Sequence, residues 1–230
     1  MKKLVTAAIV VALSVAATSA MAGIKNSKHD LSTGATGNLS TLTGGSNQIC
    51  IYCHTPHNAS PAIPLWNRGA ATNSGYTFYS SPSMKLKGQG AKTAFETTST
   101  SLQCMSCHNG VDGLGAGIVR QGAEPAGAIV GAAGAISGDK IASGNALLGQ
   151  NLGNDHPVNI RMLASTAGLF DPSANTIGNG LTDKLPLFNG TGGANYIECG
   201  SCHAVHDATH GKFLRTSNKG SILCLACHNK

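Results

Sequence analysis

Four times in this chain, two cysteines stand three positions apart with a histidine directly after the second. The four sites are Cys50-Ile-Tyr-Cys53-His54, Cys104-Met-Ser-Cys107-His108, Cys199-Gly-Ser-Cys202-His203 and Cys224-Leu-Ala-Cys227-His228, and together they use all 8 cysteines. With 9 histidines in 230 residues, four such placements by chance have odds of order one in several hundred thousand. Two thiols spaced this way on a helical turn reach the two vinyl groups on one edge of a porphyrin, and the adjacent imidazole then meets the iron. The expected cofactor is therefore covalently bound haem c with its iron, in four copies. Cys50, Cys53, Cys104, Cys107, Cys199, Cys202, Cys224 and Cys227 would supply the thioethers, and His54, His108, His203 and His228 the proximal ligands. Competing readings are weaker. A zinc ribbon does not require histidine after every pair, and a thioredoxin-like motif would occur once on a βαβ pattern. Disulfides, the usual fate of cysteine in an oxidising compartment, would not impose this spacing.

Four proximal ligands leave four axial positions, and five histidines remain: His29, His57, His156, His206 and His210. Their arrangement repeats. A free histidine precedes C-x-x-C-H-x-x-H and then C-x-x-C-H-Asn, first as His29, Cys50 to His57 and Cys104 to Asn109, then as His156, Cys199 to His206 and Cys224 to Asn229. Each unit thus holds two haem sites and two spare histidines, enough for a His–His pair at each iron. His29, His57, His156 and His206 are the expected distal ligands, and His210 is the surplus, though it competes with His29 for the last position. His57 lies three residues after His54, on about the same face of any short helix, and cannot reach round a porphyrin to the far side of that iron. It should serve a different haem, and so should His206.

Lys2 and Lys3 precede an apolar run from Leu4 to Ala17 that is followed by Ala20-Met21-Ala22. This is the pattern of a secretory signal peptide, too short to span a bilayer, so residues 1–22 are expected to be removed. No other stretch suggests a transmembrane segment. The protein is expected to be exported, to the cell surface or beyond, with the periplasm as the alternative. Its net charge of +6 is dispersed and partly carried by that signal, so no nucleic-acid partner is expected.

Only 11% of the residues are charged and only 4% aromatic, against 30 glycines, where roughly 25% charged is usual for a soluble domain. Such a chain is short of material for a self-sufficient core. The expected fold is a multihaem cytochrome c, mostly irregular backbone with short helices wrapped around a stacked haem chain. The expected divisions are the signal at 1–22, a first two-haem unit at 23–110, a Gly/Ala-rich connector at 111–150, and a second two-haem unit at 151–230. The stretches Ile63 to Arg68 and Leu185 to Asn189 look alike, and each would either lay a ring on a porphyrin or anchor a loop in a small apolar pocket.

Several of these words resemble the extracellular tetrahaem c-type cytochromes of metal-reducing bacteria that polymerise into conducting filaments, the OmcE-type nanowire family. They are Ser27 to Ser32 (SKHDLS), Cys50 to Asn58 (CIYCHTPHN) with Pro64 to Arg68, His156 to Asn159 (HPVN), and Glu198 to Lys230 with its Phe213-Leu214-Arg215. The resemblance implies little secondary structure, a continuous haem chain, a homo-polymer, and an N-terminal histidine that ligates a neighbouring subunit's haem; His29 is the matching position. The resulting expectation is extracellular electron transfer, with redox proteins and acceptors such as metal oxides as partners. A soluble periplasmic tetrahaem shuttle is the alternative. A multihaem reductase is a weaker one, because catalysis needs an open iron position and this chain offers a ligand for each. No enzymatic activity is expected.

Overall fold

In the computed structural model, segments two to five residues long pair into small ladders around the cysteine motifs. The structure describes residues 23–33, 35, 46–57, 59, 65–69, 71–84, 94–115, 132–133 and 135–230. The expected signal peptide, Pro64, and positions 116–131 and 134 of the connector lie outside these residues. Among the described residues there are ten strands. In chain order they are β1 (Thr77–Phe78), β2 (Ala132–Ala133), β3 (Ile136–Ser137), β4 (Lys140–Ile141), β5 (Asn151–Leu152), β6 (Ile160–Arg161), β7 (Thr176–Ile177), β8 (Leu185–Pro186), β9 (Phe188–Gly190) and β10 (Gly193–Ile197). They form four small sheets: a parallel β1 and β5 pair, the meander β2-β3-β4, the antiparallel set β6-β10-β9, and an antiparallel β7 and β8 pair.

The helices are short and lie at the motifs. The nine-residue α1 (Thr100–His108) carries the second motif, and two single turns, α2 (Cys199–Cys202) and α3 (Ile222–Leu225), carry the third and fourth. The first motif begins in a 3-10 turn, Cys50–Tyr52. The backbone between these short helices is not wholly irregular: short strands contribute as well. A two-residue strand is too short to display the period-2 alternation by which strands are recognised in sequence.

Three small apolar clusters back the motifs. Ile51, Tyr52, Leu114 and Ile141 form the first, with Cys53 and Cys107 packed against it. Tyr76, Phe95, Met105 and Leu152 form the second, behind α1. Met162, Ile177, Leu185, Leu187, Ile197 and Ala226 form the third, against Cys227. The chain thus supplies apolar packing of its own behind the cysteines. Much of residues 135–150 belongs to this support: Ile141 enters the first cluster, and Leu148 and Gly149 donate their N–H groups to the His108 carbonyl at 3.0 and 3.1 Å.

Candidate haem-binding site

Each motif closes on itself as one helical turn. The backbone N–H of the motif histidine reaches the carbonyl of the first cysteine at 2.8 Å in His54, 3.0 Å in His203 and 2.9 Å in His228, and the second motif lies within α1. An i to i+4 bond stacks the first cysteine and the histidine on one face, with the second cysteine beside them. All eight thiols are free in the structure.

Three of the four motifs then receive the same backbone clamp. Leu65-Trp66-Asn67 runs antiparallel past His54: Thr55 N–H donates to the Leu65 carbonyl (2.9 Å), and Asn67 N–H to the Cys53 carbonyl (2.9 Å). Phe213-Leu214-Arg215 repeats this at His203, with Ala204 N–H on the Phe213 carbonyl (2.7 Å) and Arg215 N–H on the Cys202 carbonyl (2.9 Å). Gly168-Leu169-Phe170 repeats it at His228, with Asn229 N–H on the Gly168 carbonyl (3.0 Å) and Phe170 N–H on the Cys227 carbonyl (2.8 Å). The first residue of each clamp has positive φ: 62° at Leu65, 57° at Phe213 and 81° at Gly168. That conformation strains a residue with a Cβ, so the clamp is over-determined by its hydrogen bonds. The side chains differ while the backbone pattern is shared, so the likeness between Ile63 to Arg68 and Leu185 to Asn189 does not mark the clamps. Here Leu187 is buried in the third cluster, Phe188 packs on Gly200, and the Trp66 ring stands edge-on to His54 at 6.0 Å.

The histidines come together in twos. Ring centres are 6.1 Å apart for His29 and His108, 6.0 Å for His54 and His206, and 6.3 Å for His156 and His228. Two imidazoles bound to opposite faces of one metal ion through bonds of about 2 Å each have centres about 6 Å apart. Each twosome joins a motif histidine to a spare one, and His206 meets His54, not its own His203. Backbone carbonyls orient several rings: His108 Nδ1 contacts the Ala146 oxygen at 2.7 Å, His156 Nδ1 that of Pro157 at 3.0 Å, and His203 Nδ1 that of Lys212 at 3.0 Å. A ring that donates from Nδ1 keeps its Nε2 lone pair for a metal. Burial lowers the pKa of His29 to about 4 and also lowers those of His108, His206 and His228. The neutral form so favoured is the one that ligates. The His29 Nδ1 is buried without a hydrogen-bond partner.

Within the single chain the His29 ring lies 4.3 Å from that of Phe213 and beside His108, while Gly23 sits against the His206 backbone so closely that a Cβ would overlap the carbonyl. His57 and His210 are exposed, as are His156, His203 and His206. Among the described residues no second imidazole stands at the paired spacing from His203 or His57.

Successive motifs touch. Cys53 and Cys107 share the first apolar cluster. The Cys104 and Cys199 thiols interact, which raises the pKa of Cys104 and lowers that of Cys199, while the Cys104 thiol donates to the Thr100 carbonyl at 3.6 Å. Cys202 lies close enough to Cys224 and Cys227 to feel their charge. Burial drives the Cys53 thiol up to about 12 and that of Cys227 to about 11. Arg68 and Glu198, both buried, lie at the first two of these junctions. Neither was singled out as a site residue in the sequence, although Glu198 sits directly before Cys199 with Ser201 three positions on, the spacing of the reciprocal cap it forms around α2.

Residues 193–230 match the family model described as the doubled CXXCH motif. The match takes in Cys199 to His203 and Cys224 to His228. This chain is c-type-cytochrome-like and binds haem c covalently. No curated protein matches it. Among the described residues no helix is long and apolar enough to cross a membrane, and no cluster of three or more His, Cys, Asp or Glu is arranged to hold a bare metal ion. The paired rings and the free thiols fit a porphyrin iron.

One close approach inside a motif is directly testable. A Cβ on Gly200, between Cys199 and Cys202, would stand 2.9 Å from the Phe188 ring. Gly200→Leu is expected to displace that ring and destabilise the third motif by about 1 to 3 kcal/mol, as overpacking does. Thermal unfolding of the haem-loaded variant measures this, and Phe188→Ala in the same chain should recover much of the loss.

Proposed function

We propose that the chain is an exported electron carrier in which four covalently bound haems, each held by two histidines, form a relay, and that copies of it polymerise into an extracellular filament. The 6.0 to 6.3 Å spacing of three motif-to-spare histidine pairs is the observation that carries the relay. The fourth pair would be His203 with His57, the motif histidine and the expected distal ligand left over by the other three. Haem iron supplies the reversible one-electron chemistry. The chain's own part is to hold the His108, His156 and His203 rings by backbone carbonyls, favour the neutral form of His29, His108, His206 and His228, and bring consecutive motifs into contact so that one electron has short steps to make. If each haem were held by two of these histidines, its iron would offer no open position to a substrate, which favours a carrier over an enzyme.

Export rests on the pattern of residues 1–22, and the filament on the resemblance of the motif-flanking words to polymerising cytochromes. In a filament, the pair that His29 makes with His108 would be made between copies by exchange of the segment 23–33, a head-to-tail contact that repeats without closing. Redox proteins would load the chain, and external acceptors such as metal oxides would drain it.

Intact mass of the purified native protein should exceed the mass of its processed chain by four haems, and denaturation should release none. A mass corresponding to three or fewer would contradict the count. Electron microscopy of the secreted material should show filaments. Monomeric particles confined to the periplasm would favour the soluble shuttle, and rapid carbon monoxide binding to the intact reduced protein would favour a reductase.

A further inference from the structure

Two charged side chains are buried at the junctions between motifs, and neither is a ligand. Arg68 is 1% exposed. Its Nε donates to Ser106 Oγ at 3.0 Å, its Nη1 to the Leu114 carbonyl at 2.6 Å, and its Nη2 to the carbonyls of Ser106 (3.1 Å) and Gly113. Each of these acceptors is neutral, and a guanidinium does not give up its proton. Ser106 belongs to the second motif. The preceding residue, Asn67, belongs to the first motif's clamp and donates from Nδ2 to the Ile51 carbonyl at 2.7 Å. The Arg68 charge therefore sits between the first two haem attachment sites, and its field reaches both Cys53 and Cys107. Asp112 and Asp139 also face Cys107; the first is held by Asn109 Nδ2 at 2.7 Å and the second by Gly115 N–H at 2.6 Å.

Glu198 is 2% exposed and lies between the second and third sites. Its carboxylate accepts from Ser99 Oγ at 2.8 Å, from Ser101 Oγ, and from the Ser201 backbone N–H. Three donors converge on this carboxyl group, the set that an ionised carboxylate accepts from. Its field acts on Cys104 and Cys199.

Resting on the electron-transfer reading, we infer that Arg68 and Glu198 are positioning residues that give the relay a polarity: the first-motif iron holds an electron more readily than the third. Reduction adds one negative charge at the iron. A buried cation nearby favours that change and a buried anion opposes it, more strongly in a low-dielectric interior than in water. The second motif also faces Asp112 and Asp139, so the comparison is between the first and the third; Arg215, which acts on Cys202, is exposed and screened by water. Electrons would come to rest at the first site, and transfer from it to the third would run uphill.

A potentiometric titration of the haem-loaded protein, followed by the visible spectrum, tests this. Arg68→Gln should move the high-potential part of the curve downward. Glu198→Gln, which keeps the shape and removes the charge, should move the low-potential part upward. The inference is overturned if Arg68→Gln leaves the curve unchanged or raises it, or if Glu198→Gln leaves it unchanged or lowers it. Should Arg68→Gln yield no haem-loaded protein, the direction of the Glu198→Gln shift decides alone. A wild-type protein that shows no reversible reduction would defeat the electron-transfer reading itself, whereas unshifted variants of a reversible wild type defeat only this inference.

Discussion

Replacing His206 with alanine is expected to leave the haem content unchanged and to open one iron per chain to carbon monoxide. His206 lies in the segment after the third motif, yet its ring faces His54 of the first at 6.0 Å. The iron that loses its distal ligand should therefore be the first one, four residues from Cys50, and not the one attached beside the mutated residue. The effect is large because a six-coordinate low-spin iron has no position for a small ligand, whereas a five-coordinate ferrous haem binds one readily. Wild-type reduced protein should bind almost none, and the variant about one equivalent. A His54→Met substitution added to His206→Ala should move that reactive haem's spectrum, which assigns the site. If His206→Ala binds no carbon monoxide, or if the affected spectrum belongs to the haem of the third motif, the pairing is wrong.

Glu198→Ala is expected to produce the largest loss of stability. The carboxylate accepts from two hydroxyls on and beside α1 and from the backbone of α2, so its removal leaves several buried donors without their charged acceptor. Hydrogen bonds to charged groups are worth about 1.5 to 3 kcal/mol each, and an unsatisfied buried donor adds a penalty of its own. A net loss of about 3 kcal/mol or more follows, or roughly a 10 °C fall in the melting temperature for a chain of this size. Glu198→Gln should lose much less, because the amide oxygen still accepts. Equal melting temperatures for wild type and Glu198→Ala would show that the Ser99, Ser101 and Glu198 network contributes nothing to holding α1 on α2.

The motif chemistry was legible from spacing alone because the thioether cysteines and the proximal histidine are local: five consecutive residues must form one turn, and the tertiary fold has little say in that. The duplicated order of spare histidines was legible for the same reason, and the three-residue offset of His206 from His203 already forbade them from sharing an iron. The partners were not legible. Nothing in the sequence says that His206 faces His54, that His156 faces His228 or that His29 turns back to His108, since each of these meetings spans tens of residues of chain. The backbone clamps of Leu65, Phe213 and Gly168 were hidden too, because a clamp made of N–H and C=O groups places almost no demand on side-chain identity.

The sequence by itself determined the cofactor and its attachment, through covalent chemistry that works only at one spacing. Tertiary structure decided which imidazoles face one another, that strands two residues long would support the motifs, and that Arg68 and Glu198 would be buried between them. Burial is the physical reason for that division. A charge in a loop is unremarkable in water, and it becomes consequential only when folding removes the water and leaves it beside the sites where electrons would stop.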